Sequence, residues 1–217
     1  MFSLSEENYL KAIFHLQKHS KVGVSTNALA EEMQTKASSV TDMVKKLSDK
    51  KLVVYEKYQG VYLSDSGRDT ALQIIRKHRL WEVFLVEKLN FSWDEVHEVA
   101  EELEHIKSEK LILELDKFLN YPKRDPHGDP IPDAKGNFQV ANKTLLSDLS
   151  KGEKGTLVGV KDTSSEFLKY LDKNNIALGK TIEVLDKEDF DGSMLLKIED
   201  KTLRVSTMVT VNIYIKI

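Results

Sequence analysis

The side chains able to do chemistry gather between residues 78 and 105. Read as a helix, His97, Glu101, Glu104 and His105 stand at i, i+4, i+7 and i+8 on one face, beside the apolar line Val96, Ala100 and Leu103. On a preceding helix of about Ser66–Lys88, His78 and Glu82 interrupt an apolar stripe formed by Ala71, Ile75, Leu85 and Leu89. Carboxylates and imidazoles together suit Mn²⁺, Fe²⁺ and Zn²⁺. The span 92–120 carries nine acidic residues against three lysines, a net −6, so it should repel itself unless something positive binds. A solvated acidic helix with histidines satisfied in the core is the plainer alternative. Polar groups recurring on two successive helices favour a divalent cation.

What is missing narrows the chemistry further. The 217 residues contain no cysteine, which excludes disulfides, thiolate zinc sites, iron–sulfur clusters and a cysteine nucleophile. A His/Glu site with an open position could activate water, so a metal-dependent hydrolase is the alternative of a different class. No His-Glu-x-x-His run, nucleophile–base pair or phosphate-binding glycine loop supports it. Net charge is −3, which taken alone argues against nucleic acid. No apolar run approaches the roughly 18 residues of a membrane span. The start, Met1-Phe-Ser-Leu-Ser-Glu-Glu, has no basic region followed by an apolar stretch, so a cytoplasmic protein without membrane partners is expected.

The elements that must position these groups begin with a helix of about Ser5–Lys18, whose Tyr9, Leu10, Ile13, Phe14 and Leu16 form an apolar face. A second helix follows, capped by Ser25 or Thr26, and a third runs from about Ala37 to Lys50 with Val40, Met43, Val44 and Leu47 inward. Short strands at Leu52–Lys57 and Val61–Ser64 complete a winged helix-turn-helix. Between Lys36 and Lys57 there are six lysines and three acidic residues, a local +3. Lys36, Ser38, Ser39, Thr41, Asp42 and Lys45 on the third helix, with Lys57 and Tyr58 on the wing, are the candidates for double-stranded DNA.

All four prolines lie between Pro122 and Pro132, which predicts an extended connection. Beyond about residue 150, alternation takes over: Ile182 and Val184; Met194, Leu196 and Ile198; Leu203 and Val205; then Val209, Val211, Ile213, Ile215 and Ile217. A helical insert near Ser164–Lys173 interrupts it. The fold expected is mainly α with a small β domain. Residues 1–64 form the DNA-binding part and 65–140 a helical metal-binding part, with its proline-rich linker from about 121; 141–217 form a small β-barrel or sandwich.

His78-Arg-Leu-Trp-Glu82 followed by Val96-His97 and Glu101-Glu-Leu-Glu104-His105 resembles the DtxR/MntR family of metal-dependent repressors. The resemblance extends to Ser5-Glu-Glu-Asn-Tyr-Leu-Lys-Ala-Ile, to Ser38-Ser-Val-Thr, to Pro126-His-Gly-Asp-Pro-Ile-Pro and to a terminal SH3-like barrel similar to FeoA. It implies a homodimeric repressor with a divalent metal as co-repressor, acting on a palindromic operator of metal-homeostasis genes. The implied primary site is Asn8, His78, Glu101, Glu104 and His105. Glu101 stands where iron-responsive members tend to carry cysteine, which favours Mn²⁺ over Fe²⁺, with Zn²⁺, Co²⁺ or Ni²⁺ as substitutes in vitro; an iron-responsive regulator is the alternative. Asn8 matches neither the aspartate of manganese-type members nor the methionine of iron-type ones and brings no charge, which either weakens the site or leaves Glu7 to take part. Lys11 argues against the two-metal arrangement of the shortest manganese-type members. An ancillary metal is implied at Glu82 and His97, completed by His127, Asp162 or Glu166.

The mechanism expected is that the acidic cluster repels itself without metal, and that binding fixes two recognition helices at the spacing of successive major grooves. Trp81, Phe84, Leu85, Phe91, Trp93 and Val99 are candidates for the dimer contact, with ordinary core as the alternative for each.

Overall fold

Ser3 starts the first helix with a reciprocal pair of bonds: its hydroxyl accepts from the Glu6 N–H at 3.3 Å and its own N–H donates to Glu6 Oε2 at 2.8 Å. The structure is a computed structural model that describes residues 2–17, 23–56, 59–138 and 142–217. The chain folds as two compact units.

The first unit comprises residues 1–81, 100–114 and 132–138. It opens with α1 (Leu4–Gln17), α2 (Thr26–Glu32) and α3 (Ala37–Asp49), followed by the hairpin β1 (Val53–Glu56) and β2 (Gly60–Leu63). Ser25 is the cap of α2, accepting from Ala28 N–H at 3.1 Å. Leu10, Ile13, Leu29, Val40, Leu47 and Val61 are fully buried together, so one apolar stripe from each element makes a single core. Antiparallel pairing from Val53↔Leu63 to Glu56↔Gly60 forms the wing, and Gly60 takes a φ of 101° where a Cβ would meet Val24 O at 2.7 Å. Next comes α4 (Asp65–Leu89), whose Ala71, Leu72 and Ile75 join the same core. The unit also holds the last turn of α5 (Val96–Leu103) and the first part of α6 (Glu109–Phe118).

The second unit comprises residues 82–99, 115–131 and 139–217. Its sheet has the order β3-β8-β4-β5-β6-β7, all antiparallel, built from β3 (Thr144–Leu145), β4 (Lys154–Val160), β5 (Thr181–Lys187), β6 (Met194–Ile198), β7 (Lys201–Val205) and β8 (Ile213–Lys216). Helix α7 (Ser165–Lys173) buries Leu168 and Leu171 in its core. The expected barrel is not closed among the described residues. One edge strand is two residues long, and the other runs into the single turn α8 (Thr207–Thr210) instead of pairing. Val209, expected in a strand, is therefore buried from a helix.

The proline-rich segment is also not simply extended. Asp125 Oδ1 accepts from the N–H groups of His127 and Asp129, both at 2.9 Å, and Arg124 bridges Pro130, so the chain doubles back on itself. His127 O accepts from Val160 N–H at 3.0 Å, and a Cβ on Gly128, at φ +88°, would overlap Val158 O. Only glycine lets this loop lie so close to β4.

Candidate metal centre

Within the first unit, the metal candidates converge on Glu104, which follows the last turn of α5 and is fully buried. His78 on α4 donates from Nδ1 to Glu104 Oε2 at 2.7 Å and lies 3.6 Å from Glu101 Oε1. His105 turns its Nδ1–H onto Glu7 Oε2 at 2.6 Å, which leaves Nε2 facing Glu104 Oε1 at 3.8 Å. The Glu7 carboxylate thus orients the His105 ring, as carboxylates do for metal-bound imidazoles. Asn8, one residue on, holds its Oδ1 buried without a hydrogen-bond partner among the described residues. An orphaned acceptor of this kind is costly unless something positive fills its place.

The expectation of a self-repelling cluster is corrected here, because α1 delivers a cation. Lys11 Nζ lies 2.6 Å from Glu101 Oε1 and 2.7 and 2.8 Å from the two oxygens of Glu104. Burial works against charge on Glu104, but the His78 bond and the Lys11 ammonium overcome it and hold the carboxyl below its ordinary range. Lys77 feels the opposite balance: burial pushes it down against the pull of Glu7 and Glu104.

In the second unit, ligand atoms of Glu82, Asp125 and His127 all lie within 4.8 Å of one another, and all three residues are buried. Glu82 Oε1 is 3.6 Å from His127 Nδ1 and 3.6 Å from His97 Nδ1, although His97 is half exposed. His127 Nε2 bonds the Trp93 carbonyl at 2.7 Å. Burial lowers the basicity of His127, and the bond and charge of Glu82, with Asp125 and the Trp93 carbonyl, more than restore it, so its pKa is raised. Asp162 and Glu166 are not in this group: Asp162 accepts from Ser164 N–H ahead of α7, and Glu166 is exposed in the first turn. Asp125 was not foreseen. Its place two residues before His127 in a proline-bounded turn was the signal available.

On α3, Ser38, Ser39, Thr41, Asp42 and Lys45 are all exposed, with Lys36 exposed at its N-cap. The Thr41 hydroxyl donates to Ala37 O at 2.9 Å. Lys57 and Tyr58 lie outside the described residues. Two of the six lysines counted there, Lys46 and Lys50, are tied at 3.2 and 2.6 Å to the buried Glu6 of α1, so the positive charge left for a partner is smaller than the count implied. Trp81 and Leu85, candidate dimer contacts, are buried in the chain, while Leu89, Leu111, Leu113 and Phe118 are the large apolar side chains exposed along α4 and α6. No helix of the described residues is long and apolar enough to cross a membrane.

Three family models match in series: the iron dependent repressor N-terminal DNA binding domain at residues 1–61, its metal binding and dimerisation domain at 64–133, and the FeoA domain at 144–216. The chain is similar to a manganese-dependent transcriptional repressor in complex with manganese, with a TM-score of 0.87 and 36% identity over 97% of this chain and 98% of the other. It is similar to the manganese regulator SloR, with a TM-score of 0.76 and 37% identity over 97% of each. The iron-dependent repressor IdeR of Mycobacterium bovis is 32% identical over 126 residues, 58% of this chain, and the match spans about half of IdeR, 54%. The diphtheria toxin repressor of Corynebacterium diphtheriae is 26% identical over 193 residues, 84% of each chain.

Proposed function

This chain belongs to the DtxR/MntR family of metal-dependent transcriptional repressors, and on that premise we propose that it is a manganese-responsive repressor which binds a palindromic operator as a homodimer. Residues 1–64 read DNA, 65–140 bind metal and dimerise, and 141–217 carry the FeoA-like fold. The primary ligands are His78, Glu101, Glu104 and His105, with Asn8 from α1; Glu82, Asp125 and His127, with His97 beside them, hold a second cation.

One observation carries this reading. Two carboxylates and two imidazoles from α4 and the α5 end meet a helix of the DNA-binding fold, and the charge they demand is already supplied from that helix. The donor set fits a divalent ion: it offers oxygen and nitrogen only, and the orphaned Asn8 Oδ1 belongs to the same helix as Lys11. A bound cation would supply positive charge to Glu101 and Glu104 and, with Asn8 Oδ1 among its ligands, tie α1 to the α5 end in place of Lys11. Glu7 keeps His105 in the tautomer whose Nε2 is a ligand. The ordered α3 then presents Ser38, Ser39 and Thr41 to base edges and Lys36 and Lys45 to phosphates. Glu101, a hard ligand, supports Mn²⁺; the likeness to IdeR supports Fe²⁺ as the second reading. The relatives named above are repressors and a manganese regulator, and nothing in either site supports a hydrolase.

The test is fluorescence anisotropy on a duplex selected from a random pool with Mn²⁺ present, repeated with Fe²⁺, Zn²⁺ and chelator, and with Glu104→Ala. Binding that requires Mn²⁺ at lower free concentration than Fe²⁺, and is lost in the variant, is expected. DNA binding that survives chelation would sink the co-repressor role.

A further inference from the structure

We propose that Lys11 is a built-in counter-cation that occupies the primary position until a metal displaces it, and so sets the metal concentration to which the protein responds. The inference rests on the metal reading above. Its basis is three contacts of 2.6, 2.7 and 2.8 Å from one ammonium to two carboxylates, one of them fully buried. Such an arrangement is what a divalent ion between Glu101 and Glu104 would make, with one charge in place of two.

The charges around the position make the consequence definite. Glu101 and Glu104 bring two negative charges, Asn8 brings none, and Lys11 cancels one, so an incoming cation meets −1 instead of −2 from these groups, with Glu7 further out behind His105. A metal must therefore break three short bonds and force an ammonium from a place where its side chain is only 14% exposed. Glu7, one turn back on α1, is the carboxylate within i−4 reach of the displaced Lys11. Without metal, the same bonds keep Glu104 charged and the cluster assembled, so Lys11 both preserves the site and raises the threshold for filling it.

Full-length wild type, Lys11→Met and Lys11→Arg are compared by Mn²⁺ titration, following free Mn²⁺ by electron paramagnetic resonance, and by thermal unfolding with and without Mn²⁺. Lys11→Met is expected to bind Mn²⁺ roughly tenfold or more tightly, given what a neighbouring unit charge contributes at this range. Its metal-free midpoint should fall while its Mn²⁺-saturated midpoint stays near wild type, and Lys11→Arg should remain close to wild type in both. Equal or weaker Mn²⁺ binding by Lys11→Met overturns the proposal. In wild type itself, the Lys11 ammonium resonance, identified by its absence in Lys11→Arg, should shift on saturation with Zn²⁺. A resonance that stays in place also overturns the proposal, whether or not Lys11→Met folds. If wild type binds no Mn²⁺ and Glu104→Gln changes nothing, the metal reading fails; if wild type binds and Lys11→Met binds no tighter, only the role of Lys11 fails.

Discussion

His127 donates its Nε2–H to the main-chain carbonyl of Trp93 at 2.7 Å. A carbonyl only accepts, so that nitrogen carries a proton and Nδ1 faces Glu82, 3.6 Å away. The tautomer needed for a metal ligand is thereby set by main chain.

His127→Ala should remove one cation position and leave the other, lowering bound Mn²⁺ from about two to about one per chain. Because the pKa of His127 is raised, protons compete with the cation there, and occupancy of this position should tighten as pH rises. Equilibrium dialysis at several pH values checks both statements; an unchanged stoichiometry would remove His127 from the ligand set.

Glu104→Ala takes from Lys11 and His78 their fully buried carboxylate partner in the metal-free protein and leaves them only Glu101 of the pair. Removing one partner of a buried, charged network costs on the order of 3 kcal/mol, which urea unfolding without metal would register. A loss well under 1 kcal/mol would mean that the network relaxes without cost.

Glu6 governs the acid limit of the DNA-binding part. Burial works to raise its pKa, but bonds from Lys50, the Ser3 N–H and Lys46 outweigh burial and bring it down to about 2 from an ordinary 4.5. A lowered carboxyl stabilises the fold fully above the unfolded value and ceases to do so as pH falls from about 4.5 through about 2. Urea midpoints of wild type should drop over that window, and those of Glu6→Gln should be flatter there. Parallel curves would contradict the assignment.

On the reading face, Lys36→Ala and Lys45→Ala should each reduce the salt slope of DNA binding by about one unit, with similar losses on any sequence. Ser39→Ala should alter sequence preference instead. Lys50→Ala is the contrast: it should lower stability through Glu6 while leaving the slope alone. Titrations at several salt concentrations separate these outcomes.

Much of the architecture was legible because period carries it. Val40, Val44 and Leu47 repeat at helical spacing and are buried; Ile182, Val184, Leu196 and Ile198 alternate and are buried. The same alternation misleads at Val209, where Thr207 bonds the Asp191 carbonyl and the chain makes a helical turn before β8. A tertiary contact decided that, and periodicity does not register one. At the centre, His78, Glu101, Glu104 and His105 share a helical stripe or a following one and were readable. Lys11, some ninety residues earlier, was not readable as their partner, because no local pattern announces which cation will meet a buried carboxylate. Asp125 was hidden for a different reason: its proline-rich surroundings read as a connection, whereas the turn folds it toward His127.

The ring of His127 lies nearly parallel to the indole of Trp93, with 6.3 Å between centroids and 14° between planes. The chain has two tryptophans, and the other, Trp81, is buried on α4. Protonated imidazole quenches indole emission, and a cation that replaces the proton alters that quenching. The placement of Trp93 therefore gives the protein an intrinsic optical reporter at the proposed second cation position, readable in unlabelled protein, with Trp93→Phe as its blank.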